Sequence, residues 1–178
     1  MSNYDFDSAL RRRLGIIMES NAMPTTTTSL NRLVQQKTVS TPSMTDYSSG
    51  NKGFDTFRKA ISAQESGGNY NITNKTSGAM GKYQIMPANI TASKGGWDYE
   101  ALGYDITPQQ FLSSPDLQEK IASFKLKQYY DKYGPAGAAV AWYAGPGAVA
   151  KSTNNTTPQG AYPSISAYKN SILRRMGM

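Results

Sequence analysis

Residues Ala63–Pro87 read AQESGGNYNITNKTSGAMGKYQIMP, and Glu65 is the only acidic residue among them. Upstream, Phe54, Phe57, Ala60 and Ile61 lie at helical spacing, and Gly67-Gly68 should end that helix. Phe57, Ile61 and Glu65 are four apart and share one face. That face is expected to point to a core, and Glu65 falls in the last turn, where the helix dipole disfavours negative charge. Both effects favour the protonated carboxyl. A protonated glutamic acid beside a polar cleft suits general-acid chemistry. The bland alternative is a helix-end glutamate that turns to water or pairs with Lys75 or Lys82.

The neighbours of Glu65 point to a ligand. Gly67 and Gly68 let backbone approach it closely. Asn69, Asn71, Asn74, Thr76 and Ser77 supply hydrogen-bonding groups of the kind sugars use. The chain also carries twelve tyrosines, whose flat faces can stack on sugar rings or pack in amphipathic helices.

Composition narrows the chemistry. The 178 residues suit one domain with a tail. Hydrophobic residues make up 38% and charged residues 17%, less apolar than an average domain and far less charged than a typical disordered one. There is no cysteine, so there are no disulfides or thiolate metal sites. There is no histidine, which excludes Ser-His and Cys-His nucleophile systems and most zinc sites. Acid and base work falls to carboxylates, Lys, Tyr or the backbone, and neither metal nor cofactor is expected. The net charge of +7 suits an acidic polymer, an anionic lipid or simply a solvated surface. Arg11-Arg12-Arg13 is the only arginine cluster, so nucleic acid is not expected as a partner. No apolar run is long enough for a membrane span, and the run Leu14–Met18 is too short for a signal-peptide core.

Two regions follow along the chain. Residues 1–53 form an arm: one short helix with Leu10, Leu14, Ile17 and Met18 on a stripe, then a linker ending in TVSTPSMTDYSSGNKG. Residues 54–178 form the domain. A small hairpin is expected around Asn71–Tyr83, and short helices over Ala88–Ser93 and within TPQQFLSS. The clearest helix runs Ser114–Tyr133, capped by Ser114 with Pro115 in first position, its inner stripe Leu117, Ile121, Phe124 and Gln128. Gly134 stops it and Pro135 opens the apolar AGAAVAWYAG. A last helix runs Ile165–Arg175. The class is α+β and mostly α-helical, with a small β element.

Three stretches together resemble the soluble lytic transglycosylase family, whose catalytic domain is lysozyme-like and related to goose-type lysozyme. Glu65-Ser66 resembles the family's glutamate–serine pair at a helix end. GAMGKYQIMP, Gly78–Pro87, resembles its G-x-x-G-x-x-Q-[IL]-M-P pattern. AWYAGPG, Ala141–Gly147, resembles A-Y-N-A-G-P-G. The resemblance spans about Phe54 to Arg175 and leaves residues 1–53 outside. It implies cleavage of the MurNAc-β-1,4-GlcNAc bond of peptidoglycan glycan strands, with a 1,6-anhydroMurNAc product and Glu65 as the catalytic acid and base. It places Ser66, Tyr83, Gln84 and Met86 at the substrate, and either Thr76 or Ser77 at the N-acetyl group. Tyr168 fits a tyrosine near the family's last helix. Trp142 stands at the family's tyrosine position and Tyr143 at its asparagine position, and which of them faces the cleft is left open.

Enzymes of this family reach the wall by export, and no export signal is read here. The expectation is therefore a phage virion component, docked through residues 1–53 to tail or ejection proteins and acting at the host wall. Three alternatives stand beside it. One is a hydrolytic lysozyme that uses Asp98 or Asp105 to activate water, although Asp105 looks like a turn or cap residue. Another is an endolysin. The third is an inactive structural virion subunit with the same fold.

Overall fold

In the computed structural model, residues 47–178 are described; the expected Leu10–Met18 helix and most of the arm lie outside them. Six α-helices and one 3-10 turn make up the described chain. They are α1 (Lys52–Glu65), a 3-10 turn (Pro87–Asn89), α2 (Trp97–Leu102), α3 (Pro108–Ser113), α4 (Pro115–Ala144), α5 (Ala148–Ser152) and α6 (Ile165–Arg175). The fold is mostly helical, with the long α4 at its centre, packed by α1, α2, α3, α5 and α6.

Four of the six described helices start at a side-chain cap. Asn51 caps α1 by accepting from Phe54 N–H at 3.0 Å. Thr107 and Gln110 form a reciprocal capping box on α3, with Pro108 in the first turn. Ser114 Oγ caps α4 by accepting from Leu117 N–H, and Ser164 Oγ caps α6 by accepting from Ala167 N–H. At Gly134 the backbone leaves helical geometry (φ 65°, ψ 177°) and Pro135 restarts it, so the expected stop appears as a kink within α4. Helices α2 and α5 are too short to show a period, and the sequence did not predict them.

Three expectations are corrected. The hairpin around Asn71–Tyr83 is reduced to isolated bridges, Thr73 with Met80 and Met80 with Ile85. Gly78 and Gly81 have positive φ and Asn74 turns the chain through its own side chain, so the segment coils instead of pairing. The helix expected over Ala88–Ser93 is a 3-10 turn that ends at Asn89. The inner stripe of α4 is rotated: Phe124 is 37% exposed, while Gln118 and Glu119 are buried with Ile121, Ala122 and Leu126. The periodicity reading put those two polar residues outside. Hydrogen bonds to the loop above, described below, make their burial tolerable.

The folded unit also reaches back into the stretch read as linker. Tyr47 O accepts from Arg58 Nη2 at 2.5 Å, and the Asp55 carboxylate accepts from Ser48 Oγ and Ser49 N–H at 2.9 and 3.0 Å. The core joins Phe54, Phe57 and Ile61 of α1 to Ile121 and Leu126 of α4 and to Ile165, Tyr168 and Ile172 of α6. That junction of three helices fixes the end of α1.

Candidate active site

Glu65 is the last residue of α1. Phe57 and Ile61, on its face, are fully buried, so the helix is locked in rotation and Glu65 emerges half-buried at the core's edge. The chain must then turn sharply. Ser66 caps the helix, its N–H and that of Gly68 both donate to Ser62 O, and Gly67 takes φ +66°.

Helix α6 supplies the partner. Tyr168 hydroxyl donates to Glu65 Oε1 at 2.5 Å. The same two helices are bolted one residue earlier, where Ser171 Oγ and Arg175 Nε both donate to Gln64 Oε1. Tyr168 is 3% exposed, and its ring stacks on Tyr143 with centroids 4.3 Å apart and planes 14° apart. Tyr143 in turn donates its hydroxyl to Pro163 O at 2.5 Å. The glutamate is therefore oriented by a column of two tyrosines that starts on α4.

Trp142 and Tyr143 point to different neighbours. Tyr143 belongs to the column under Tyr168. Trp142 turns away to α2 and meets Trp97 at 5.3 Å.

The glycine-rich loop folds back on this centre. Ser66 Oγ donates to Lys82 O at 2.7 Å, tying the residue after Glu65 to the GAMGKYQIMP segment. Gln84 takes φ +50°, a conformation side chains rarely adopt, and its amide donates to Gly81 O at 3.0 Å. Met86 is 8% exposed. Asn74 Oδ1 accepts from both Thr76 and Ser77 N–H; Thr76 is exposed and Ser77 half-buried. Tyr83 stands apart from the other predicted site residues. It is 1% exposed and points inward, donating to Glu119 at 2.9 Å, where no sugar can reach it.

Of the two lysines suggested as partners for Glu65, Lys82 has another carboxylate beside it. Lys82 goes to Glu119 at 2.6 Å instead. The sequence reading missed Glu119, together with Gln118, Arg58 and Tyr70 around it. The signal was present: Glu119, Ala122 and Leu126 fall at helical spacing, a glutamate on an apolar face.

The other described carboxylates each have a partner, although Asp98 Oδ1 is buried without a hydrogen bond. Asp98 is fully buried and accepts from Ile106 N–H at 2.8 Å, and Asp105 accepts from Lys94 N–H at 3.1 Å. Glu100 pairs with Lys125, Asp116 with Lys120 and Asp131 with Lys127. Among the described residues, no cluster of three or more His, Cys, Asp or Glu could hold a metal. No described helix is long and apolar enough to cross a membrane.

A family model described as the transglycosylase SLT domain matches residues 48–165. No curated protein matches. Among solved structures, the chain is similar to an inactive mutant of lytic transglycosylase Slt from Pseudomonas aeruginosa, at 20% identity and a TM-score of 0.46. That match covers 68% of this chain and 19% of the other, so the chain spans about a fifth of that protein's length.

Proposed function

The chain belongs to the transglycosylase SLT domain family, and we propose that it is a peptidoglycan lytic transglycosylase in which Glu65 carries both proton transfers. The observation that carries the reading is the position of Glu65 at the end of α1, half-buried and oriented by the Tyr168 hydroxyl. Its Oε1 takes the Tyr168 hydroxyl at 2.5 Å, while each of the other seven described carboxylates has a partner elsewhere in the fold.

Most hydrolytic glycosidases use a second carboxylate to activate water or to attack the sugar. Asp98 and Asp105 were the candidates for that role; Asp98 is fully buried, and Asp105 accepts from Lys94 N–H. One carboxylate suffices if the substrate supplies its own nucleophile. Glu65 protonates the glycosidic oxygen, the C1–O bond breaks and the GlcNAc hydroxyl leaves. The Glu65 carboxylate then takes the proton from the MurNAc C6 hydroxyl, and that oxygen closes on C1. The product is a 1,6-anhydro sugar, Glu65 is returned to its starting state and no water is consumed. Tyr168 holds the carboxyl in one orientation through both steps. Ser66, Gln84, Thr76 and Ser77 are read as the residues of this segment offered to the glycan strand, while Met86 is buried.

The test is mass spectrometry of muropeptides released from purified peptidoglycan by the wild type and by Glu65→Gln. Anhydro muropeptides from the wild type and none from the variant are expected. Equal release by the variant would remove Glu65 from the mechanism.

For delivery, the reading is carriage in a phage tail or ejection apparatus through residues 1–53, supported by the apolar stripe Leu10, Leu14, Ile17 and Met18. Mass spectrometry of purified particles should find the chain with the arm intact. A particle fraction free of the chain would end that reading.

A further inference from the structure

Four donors converge on one buried carboxylate. Glu119 is 1% exposed. Its Oε1 accepts from Lys82 Nζ at 2.6 Å and Tyr70 hydroxyl at 2.7 Å. Its Oε2 accepts from Tyr83 hydroxyl at 2.9 Å and Arg58 Nη1 at 3.1 Å. A carboxylate taken from water is costly unless it is paired and hydrogen-bonded, and here two cations and two phenols do both. Burial, reinforced by the Glu119 charge, pushes both phenols up, so they remain donors across the working pH range.

Such a cluster would be ordinary core glue but for where its donors come from. Tyr70, Lys82 and Tyr83 all belong to the loop between Glu65 and Met86. Arg58 lies on α1, about two turns before Glu65. Lys82 is held at three points. Its N–H donates to Gln118 Oε1 at 2.9 Å, its ammonium to Glu119, and its carbonyl accepts from Ser66 Oγ at 2.7 Å. Gln118 also reaches Tyr70 O at 3.1 Å, so adjacent residues of α4 grip both limbs of the loop. One residue, Lys82, therefore separates the buried charge from Ser66, the neighbour of Glu65.

We propose that Glu119 is a positioning residue for Glu65: through Lys82 and Ser66 it fixes the turn after α1 and the loop that faces the glycan. Glu119 touches no reacting atom. The inference rests on the reading of Glu65 as the acid and base.

The test uses the full chain with Glu119→Gln, Lys82→Met and Glu65→Gln, assayed on soluble glycan-strand fragments well below each melting midpoint. Glu119→Gln keeps the shape and removes the charge. Its kcat is expected to fall about tenfold with KM within about twofold, the split expected when geometry at the reacting atoms is lost and strand binding is not. Lys82→Met should lose about threefold, and the double variant should be no worse than Glu119→Gln alone, because both act on one path. A lower melting midpoint with wild-type kcat for the folded enzyme would make Glu119 a core residue only, and overturn the proposal. If Glu119→Gln does not fold, Lys82→Met decides. That side chain is 20% exposed, and wild-type kcat from it would overturn the proposal. Residual turnover by Glu65→Gln would instead strike the reading on which the proposal rests, whatever Glu119→Gln does.

Discussion

Replacing Tyr168 with Phe removes one oxygen and leaves the ring. That ring is 3% exposed and stacked on Tyr143, so the packing of α6 against α4 should survive. What goes is the hydrogen bond to Glu65 Oε1. A hydrogen bond to a charged group contributes about 1.5–3 kcal/mol. Folding stability should change by only about 1 kcal/mol, since Glu65 is half-buried and water can replace the phenol. Catalysis is less forgiving, because water does not hold the carboxyl in one orientation. If most of the bond is needed in the transition state, kcat/KM falls about 10- to 100-fold at 1.36 kcal/mol per decade. The assay is the initial rate of muropeptide release, with a thermal melt on the same sample. Tyr143→Phe is the control: it loses its bond to Pro163 O and leaves the Tyr168 hydroxyl in place, so it should lose less activity than Tyr168→Phe. Wild-type activity from a folded Tyr168→Phe, within about twofold, would refute the argument that this bond orients the acid.

Other outcomes follow from single contacts. A Cβ at Gly81 would lie 2.1 Å from Gln118 Oε1, at a φ of +68°. Gly81→Ala should cost about 3 kcal/mol from backbone strain and displaced buried hydrogen bonds, lowering the melting midpoint by about 10 °C; a normal melt would show that Gln118 can move freely. Asp98→Asn and Asp105→Asn should leave the muropeptide products unchanged, whereas loss of a reducing-end product on mass spectrometry would restore the hydrolytic alternative. Asp55 is held below the usual carboxylate range, chiefly by the Ser49 N–H and then by the Ser48 and Ser49 hydroxyls. A depressed carboxylate stabilises the fold above its unfolded value, and that contribution is lost as pH falls through the folded value. The gap between wild-type and Asp55→Asn urea midpoints should therefore be present at neutral pH and shrink in acid, and a gap that widens in acid would have the wrong sign.

The helical frame was legible because its signals are local. The Ser114 cap, Pro at first positions and the Phe57–Ile61–Glu65 spacing depend on residues a few positions apart. The site was legible in part for the same reason: Glu65 could be placed on the core face from α1 alone. What failed depends on distant partners. Whether Gln118 and Glu119 are buried depends on Tyr70, Lys82 and Arg58, between 36 and 61 residues away in sequence. A polar residue is read as exposed until its partners are known, and that rotated the expected stripe of α4 towards Phe124 and Gln128. Tyr83 was expected at the substrate because it lies inside GAMGKYQIMP. Residues alternate inward and outward along such a turn, and the inward place went to the residue that could donate to Glu119. Trp142 and Tyr143 could not be separated from sequence because they are neighbours on α4, and the rings they meet, Trp97 and Tyr168, lie on other helices.

The central claim is that one carboxylate and the sugar's own hydroxyl complete the reaction without water. Digestion of purified peptidoglycan in water enriched in heavy oxygen, followed by mass spectrometry of the released glycan ends, tests it most directly. The account predicts 1,6-anhydro ends with no heavy oxygen incorporated. Reducing ends carrying one heavy oxygen each would contradict it and would require a water-activating group that the described carboxylates do not supply.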